Sequence, residues 1–280
     1  MILALSTLGQ ADGTSLSQIV LYAVVAGLAA SVACGLGALP LFIPKLDPRK
    51  HIGIGYGLAG GLMFSASVYA LLGPALKMNQ FSFQDMALLD VGPVILGLLA
   101  GAGFLSISEV FLNRYQAEHK AADFSQWGGR VGLLVFVAMT VHSMPEGVAV
   151  GTGYTAGEVE THLGEGDLGT YVALAIGIHN IPEGLAVAIP LRSAGAKLWW
   201  CFLAAFLTSL PQPIAAVPAV LLSWFFQPLM PFLMGFAAGA MIFLVIMELI
   251  PEALETETHA HIAWSFTIGF CGMLLIQTVL

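Results

Sequence analysis

The sequence contains very little charge. Only 9% of its 280 residues are Asp, Glu, Lys or Arg, whereas 58% are hydrophobic. Soluble domains carry about 25% charged residues, so this chain could not cover a water-facing surface. We therefore expect lipid to be the solvent for most of it. The net charge is −8 and the sequence has no basic patch, so nucleic acid is not expected as a partner.

Several motifs are also missing. The three cysteines, Cys34, Cys201 and Cys271, are far apart in apolar stretches and give no disulfide framework or zinc knuckle. None of them lies near the motifs described below, which weighs against copper(I). No Gly-x-x-x-x-Gly-Lys-Ser/Thr loop occurs, so direct drive by ATP is not expected. We expect no organic cofactor.

Long apolar runs are what the sequence has in abundance. A transmembrane helix needs about 20 apolar residues. Eight suitable runs occur, at residues 18–44, 52–76, 87–112, 130–156, 168–191, 197–224, 228–252 and 259–280. The predicted fold class is therefore an all-α polytopic membrane protein with eight transmembrane helices, forming a single domain over 1–280. Its predicted connections include a short outside segment (1–17), a short cytoplasmic loop (113–129) and an acidic outside loop (157–167).

The basic residues predict the orientation of the chain. Eight of the nine Lys and Arg residues follow the first, third and fifth predicted spans. Loops rich in Lys and Arg stay in the cytoplasm, so an even number of spans leaves both termini outside. We expect an integral protein of the plasma membrane, the inner membrane of the cell, with the lipid bilayer as a partner.

One repeat stands in the fourth and fifth predicted spans. HSMPEGVAV begins at His142 and HNIPEGLAV begins at His179. Within each copy a histidine and a glutamate are four residues apart, His142 with Glu146 and His179 with Glu183, and so share one helix face. A charged residue at a helix centre costs roughly 2.5–3.5 kcal/mol on insertion scales. A divalent cation would neutralise the two carboxylates and remove that cost.

The ligand types indicate which ion is bound. Two imidazoles and two carboxylates suit Zn²⁺, Fe²⁺, Mn²⁺, Co²⁺ or Cd²⁺ better than Ca²⁺ or Mg²⁺, which prefer oxygen-only shells. Pro145 and Pro182 lack the N–H groups that the carbonyls of Val141 and Ile178 would accept, so both helices are expected to be kinked there. The competing interpretation is a pair of kinked helices with structural His–Glu hydrogen bonds.

HSMPEG and HNIPEG resemble the signature motifs of the fourth and fifth spans of the ZIP (Zrt/Irt-like) metal-transporter family. The resemblance covers the whole chain. It implies a binuclear metal site between these helices, inward transport of zinc or related ions, and movement of spans one, four, five and six against the rest. Carried over by residue, the principal site is His142, Glu146, His179 and Glu183. Met63 in GGLMFSAS matches a position that contacts this site, with core packing as the alternative.

The sequence departs from the family pattern at the second metal site. The family often has Asn, then Asp or Asn, then Glu, where this chain has Ser143, Asn180 and Gln212. A second dication would leave about two uncompensated positive charges in the membrane, which is costly. We therefore expect one well-occupied metal, with these three residues forming a weak or empty neighbouring site. Interhelical hydrogen bonding is the alternative role for them.

Two further groups of residues are candidates for an exit path. Glu248 in MELIPEALE is expected to relay ions from the main site to the cytoplasm, or else to pair with a hydroxyl of the first or second span. His259 and His261 could collect an exiting ion, although a solvated helix boundary explains them as well.

The expected function is transport of zinc or a related ion toward the cytoplasm by alternating access. A membrane-embedded metallohydrolase is the first alternative, although such sites commonly show a His-Glu-x-x-His helix, which is absent here. A metal-gated channel is the second alternative. The sequence leaves a homodimer open.

Overall fold

The computed structural model describes residues 15–42, 52–77, 88–118, 129–156, 158–161, 164–193 and 195–279. These residues are almost entirely helical. The helices are α1 (Leu16–Leu36), α2 (Ile52–Ala66), α3 (Gly73–Lys77), α4 (Leu88–Glu118), α5 (Gly129–Ala156), α6 (Leu168–Ser193), α7 (Leu198–Thr208), α8 (Pro211–Phe225), α9 (Met230–Leu244), α10 (Ile250–Thr256) and α11 (His259–Val279). Wider π-helical turns join α2 to α3 (Ser67–Leu72) and α9 to α10 (Val245–Leu249).

Within the described ranges, seven helical segments are long and apolar enough to cross a membrane. They are Leu16–Phe42, Gly53–Leu76, Val91–Phe111, Leu168–Ile189, Leu198–Phe225, Gln227–Thr256 and His259–Thr278. Large apolar side chains on their outer faces are exposed, among them Leu99, Phe111 and Trp264. An apolar outer surface of this kind needs lipid around it. The chain is therefore an all-α polytopic membrane protein, as the composition predicts.

A short β-hairpin stands in the segment that the sequence predicts as the acidic loop 157–167. Strands β1 (Glu158–Thr161) and β2 (Gly164–Asp167) pair antiparallel, with Glu158 opposite Asp167 and Glu160 opposite Glu165. The predicted cytoplasmic loop also differs in part, because α4 continues to Glu118. The remainder of that loop up to 128, and most of the segment 1–17, lie outside the described residues.

The helices pack in two groups. Helices α1, α5, α6, α7 and α8 contact one another, while α4 packs along α9 and α2 packs along α11. Glycines bring the α4–α9 pair very close: a Cβ at Gly97 or Gly101 would collide with the backbone of α9, and one at Gly235 or Gly239 would collide with the backbone of α4. Such small residues permit tight helix contact in membranes. The two groups meet where α5 faces α9 and where α2 faces α6.

Candidate metal centre

The two sequence repeats lie side by side at the centre of the first helix group. HSMPEG is part of α5 and HNIPEG is part of α6, and these antiparallel neighbours contact each other. Both helices are continuous through the motif prolines. The side chains of the four predicted ligands, His142, Glu146, His179 and Glu183, are all buried. Ionisable groups in such an interior need a partner of opposite charge or a metal.

Three of the four predicted ligands form one cluster. Glu146, His179 and Glu183 each offer a ligand atom, and these atoms lie within 4.8 Å of one another. Oε1 of Glu146 is 3.2 Å from Nε2 of His179. Oε2 of Glu183 and Nδ1 of His179 are buried without a hydrogen-bond partner. Two carboxylates, one of which has an unpartnered oxygen, and one imidazole form a donor set that fits a divalent transition metal.

His142 has a different partner. Its Nε2 atom lies 3.3 Å from Oε1 of Glu248, whose side chain is 31% exposed. Glu248 belongs to the π-helical turn Val245–Leu249, so this contact joins the first helix group to the second. The sequence predicts a functional role for both residues. It does not predict that they contact each other, since the pairing partner that it offers for Glu248 is a hydroxyl group of the first or second span.

The three residues of the expected neighbouring site do not form a single hydrogen-bonded group. Asn180 donates from Nδ2 to Oε1 of Gln212 at 3.2 Å and to the carbonyl of Ala30 at 3.1 Å. Gln212 in turn donates from Nε2 to Oε2 of Glu146. The hydroxyl of Ser143 instead donates to the carbonyl of Met139 in its own helix at 3.1 Å. Asn180 and Gln212 thus make the interhelical hydrogen bonds of the alternative interpretation.

The remaining sequence candidates lie apart from the cluster or in packing positions. Met63 is buried in the apolar core, and its carbonyl accepts a hydrogen bond from the Ser67 hydroxyl at 2.8 Å. His259 and His261 are exposed at the start of α11, and Nδ1 of His261 is 2.8 Å from Oε2 of Glu257. This contact is between an exposed residue at the start of α11 and a residue just before that helix.

Cys34 corrects one sequence inference. The sequence places no cysteine near the motifs, yet Cys34 of α1 is fully buried against the second of them. A Cβ atom at Gly184 would collide with the Cys34 carbonyl. Its Sγ atom is 3.9 Å from Oγ1 of Thr208. The contact arises because α1 and α6, which are distant in sequence, pack closely at Gly184, and no local pattern signals it.

A buried cluster of two glutamates and a histidine among membrane-spanning helices is typical of one class of protein, the integral membrane proteins that bind or transport metal ions. Residues 113–277, more than half of the chain, match the family model described as ZIP zinc transporter. The chain therefore belongs to the ZIP family of zinc transporters, and it is a transporter and not an enzyme.

Similarity to individual transporters extends over most of the chain. The chain is 34% identical over 257 residues to zinc transporter GufA of Myxococcus xanthus, covering 88% of this chain and 95% of GufA. It is 27% identical over 319 residues to zinc transporter ZIP11 of Homo sapiens, and the match covers 86% of this chain and 92% of ZIP11. A relative in Arabidopsis thaliana, provisionally named a zinc transporter, is 35% identical over 276 residues, which cover 97% of this chain and 41% of the relative.

Proposed function

We propose that this protein carries divalent transition-metal ions, zinc above all, across the membrane toward the cytoplasm by alternating access. The observation that carries the proposal is the buried cluster of Glu146, His179 and Glu183. Zn²⁺ would balance the two carboxylates and coordinate the unpartnered oxygen of Glu183. Fe²⁺, Mn²⁺, Co²⁺ and Cd²⁺ accept the same donor types and are the other candidate cargoes.

Eight spans are part of this proposal. Helix α5 has 28 residues, and a rise of 1.5 Å per residue makes it about 42 Å long. The hydrocarbon core of a bilayer is about 30 Å thick, so α5 is long enough to cross it. Counting α5 as the fourth span along the chain brings the total to eight. It also packs between α6, α8 and α9, each of which belongs to a candidate span. An even number of spans puts both termini on the same side of the plasma membrane, and the basic loops make that side the one away from the cytoplasm.

One ion per chain is the stoichiometry that the charges favour. The cluster supplies two carboxylates, which one dication neutralises. The neighbouring amides of Asn180 and Gln212 add hydrogen bonds but no charge. The carbonyls of Val141 and Ile178, released by the motif prolines, are proposed to assist the ion or its water in transit.

The ion leaves the cluster through His142 and Glu248. Both lie between the two helix groups, and the Glu248 side chain is partly exposed while the residues of the cluster are buried. Movement of the α1, α5–α8 group against the other helices would break and remake the His142–Glu248 contact. Glu248 therefore serves as the relay between the main site and the cytoplasm in this proposal.

The decisive experiment measures zinc entry into liposomes that contain the purified protein and a zinc-sensitive dye. Glu183→Gln and His179→Ala are expected to reduce entry to the level of empty liposomes, because each removes a ligand of the cluster. Glu109→Gln is the matched control, since Glu109 lies in α4, outside the cluster, and its substitution should leave entry intact.

Two outcomes would count against the proposal. Zinc entry that survives both cluster substitutions would remove the site from the transport path. Entry that rises linearly with zinc and never saturates would replace alternating access with a channel. Competition by Cd²⁺ but not by Mg²⁺ is expected, because Mg²⁺ prefers an oxygen-only octahedral shell.

A further inference from the structure

Gln212 lies beside the cluster of Glu146, His179 and Glu183 and adds no charge to it. It stands at the start of α8, directly after Pro211, and is completely buried. Its Nε2 atom donates a hydrogen bond to Oε2 of Glu146. The other oxygen of that carboxylate, Oε1, faces Nε2 of His179 at 3.2 Å. The two oxygens of Glu146 therefore have different partners, one an amide and one a metal ligand.

A second amide determines which way the Gln212 side chain points. Asn180 Nδ2 donates to Oε1 of Gln212 at 3.2 Å, and it is itself held by the carbonyl of Ala30 at 3.1 Å. A reversed Gln212 amide would turn its oxygen toward the Glu146 carboxylate and its NH₂ group toward the NH₂ group of Asn180. Both hydrogen bonds would be lost. The network is consistent in one direction only, with an NH₂ group aimed at Glu146.

The backbone of Gln212 packs against the same turn of α5. A Cβ atom at Gly147, the residue after Glu146, would collide with the Gln212 carbonyl. Helix α8 thus approaches α5 as closely as a glycine allows. Main-chain contact and side-chain hydrogen bond act on consecutive residues, so the packing of two helices sets the position of the Gln212 amide relative to the Glu146 carboxylate.

This arrangement limits how Glu146 can bind an ion. The amide keeps Oε2 turned toward Gln212 and hinders it from joining Oε1 on the same ion, so Oε1 is the oxygen that Glu146 presents to the cluster. Zn²⁺ usually binds four ligands, whereas Mn²⁺ favours octahedral sites with six oxygen ligands. Resting on the proposed function, we infer that Gln212, oriented by Asn180, is a specificity-determining positioning residue that keeps Glu146 a one-oxygen ligand and so favours Zn²⁺ over Mn²⁺.

The first test compares Zn²⁺ and Mn²⁺ uptake by liposomes containing Gln212→Met, which keeps the side-chain length but removes the amide. The ratio of zinc to manganese uptake at low, equal concentrations is expected to fall about tenfold, the equivalent of one hydrogen bond to a charged group. Asn180→Leu, which leaves Gln212 in place but unheld, should move the ratio in the same direction. Ser223→Ala, also buried in α8, should leave it unchanged.

The second test uses Co²⁺ bound to the detergent-purified protein. Four-coordinate Co²⁺ absorbs visible light strongly, and added oxygen ligands weaken that absorption. Gln212→Met is expected to weaken it, because the released Oε2 joins the ion. Equal losses of zinc and manganese uptake with an unchanged Co²⁺ spectrum would show a merely structural role and overturn the inference alone. A wild-type chain that neither binds nor transports these ions would overturn the proposed function as well.

Discussion

His142 and His179 begin the two copies of the same motif, yet the structure gives them different surroundings. His179 belongs to the three-ligand cluster and is fully buried. His142 contacts Glu248 across the boundary between the helix groups. The repeat alone suggests equal roles for the two histidines. Given the proposed function, we expect from these partners that His179 holds the ion at rest and that His142 acts during its passage.

The distinction predicts different defects for the two histidines. His179→Ala should weaken equilibrium zinc binding in detergent by about tenfold or more, because loss of even a hydrogen-bond partner of a metal ligand typically costs about 10–100-fold in metal affinity. His142→Ala should leave equilibrium binding nearly intact but slow zinc uptake. Equal loss of binding in the two variants would place His142 inside the resting site and contradict the assignment.

The His142–Glu248 contact can be tested by a double-mutant cycle. His142→Ala, Glu248→Gln and the double variant would be compared for initial zinc uptake. If the two residues act as one relay, the second substitution should cost little after the first, with a coupling of about 1 kcal/mol or more. Fully additive effects on uptake would show that the two side chains act independently.

At the scale of helices, close contact depends on a few glycines. The α1–α6 contact brings the Cys34 carbonyl against Gly184, so that no Cβ fits there. The π-helical turns are a second feature of this scale, since one carries Glu248 and the other begins four residues after Met63. Such turns are frequent at functional sites, and here one of them presents Glu248 to His142.

Gly184→Ala and Gly177→Ala form a matched pair in α6. Gly184→Ala should lower the free energy of unfolding in detergent by about 1–3 kcal/mol, the usual cost of overpacking. A Cβ at Gly177 meets nothing within 4 Å, so Gly177→Ala should be neutral or slightly stabilising, because alanine is the better helix former. Thermal unfolding in one detergent gives both values. Similar stabilities would mean that α1 and α6 pack less closely than described.

At the scale of the whole molecule, the positions of the termini test the span count. Small epitope tags at the two ends should both bind antibody in intact cells whose plasma membrane is sealed. A tag inserted in the loop between the third and fourth spans should bind only after permeabilisation, because that loop carries basic residues. Tags that report opposite sides for the two termini would require an odd number of spans. That result would contradict the proposal that α5 crosses the membrane in addition to the other seven segments.

Much of the fold can be predicted from the sequence, because it depends on composition and on the order of residues within single segments. Scarcity of charge dictates lipid as the solvent, and run length dictates helices. The repeat places a histidine and a glutamate on one face of each of two helices, which suffices to predict a buried metal site and the ligand types. Gly147 and Gly184, which follow the two glutamates directly, each abut the backbone of another helix.

What the sequence could not determine is which of these side chains meet. Helix packing unites Glu146, His179 and Glu183 while turning His142 toward Glu248. It brings Cys34 to the second motif and places the Gln212 amide on Glu146. Each of these contacts depends on how separate helices pack, and the direction of each side chain depends on where a neighbouring backbone can approach. The sequence by itself therefore determined the solvent, the helices and the pairing of a histidine with a glutamate on one face of each of two helices, whereas only the tertiary structure decided which side chains these residues contact.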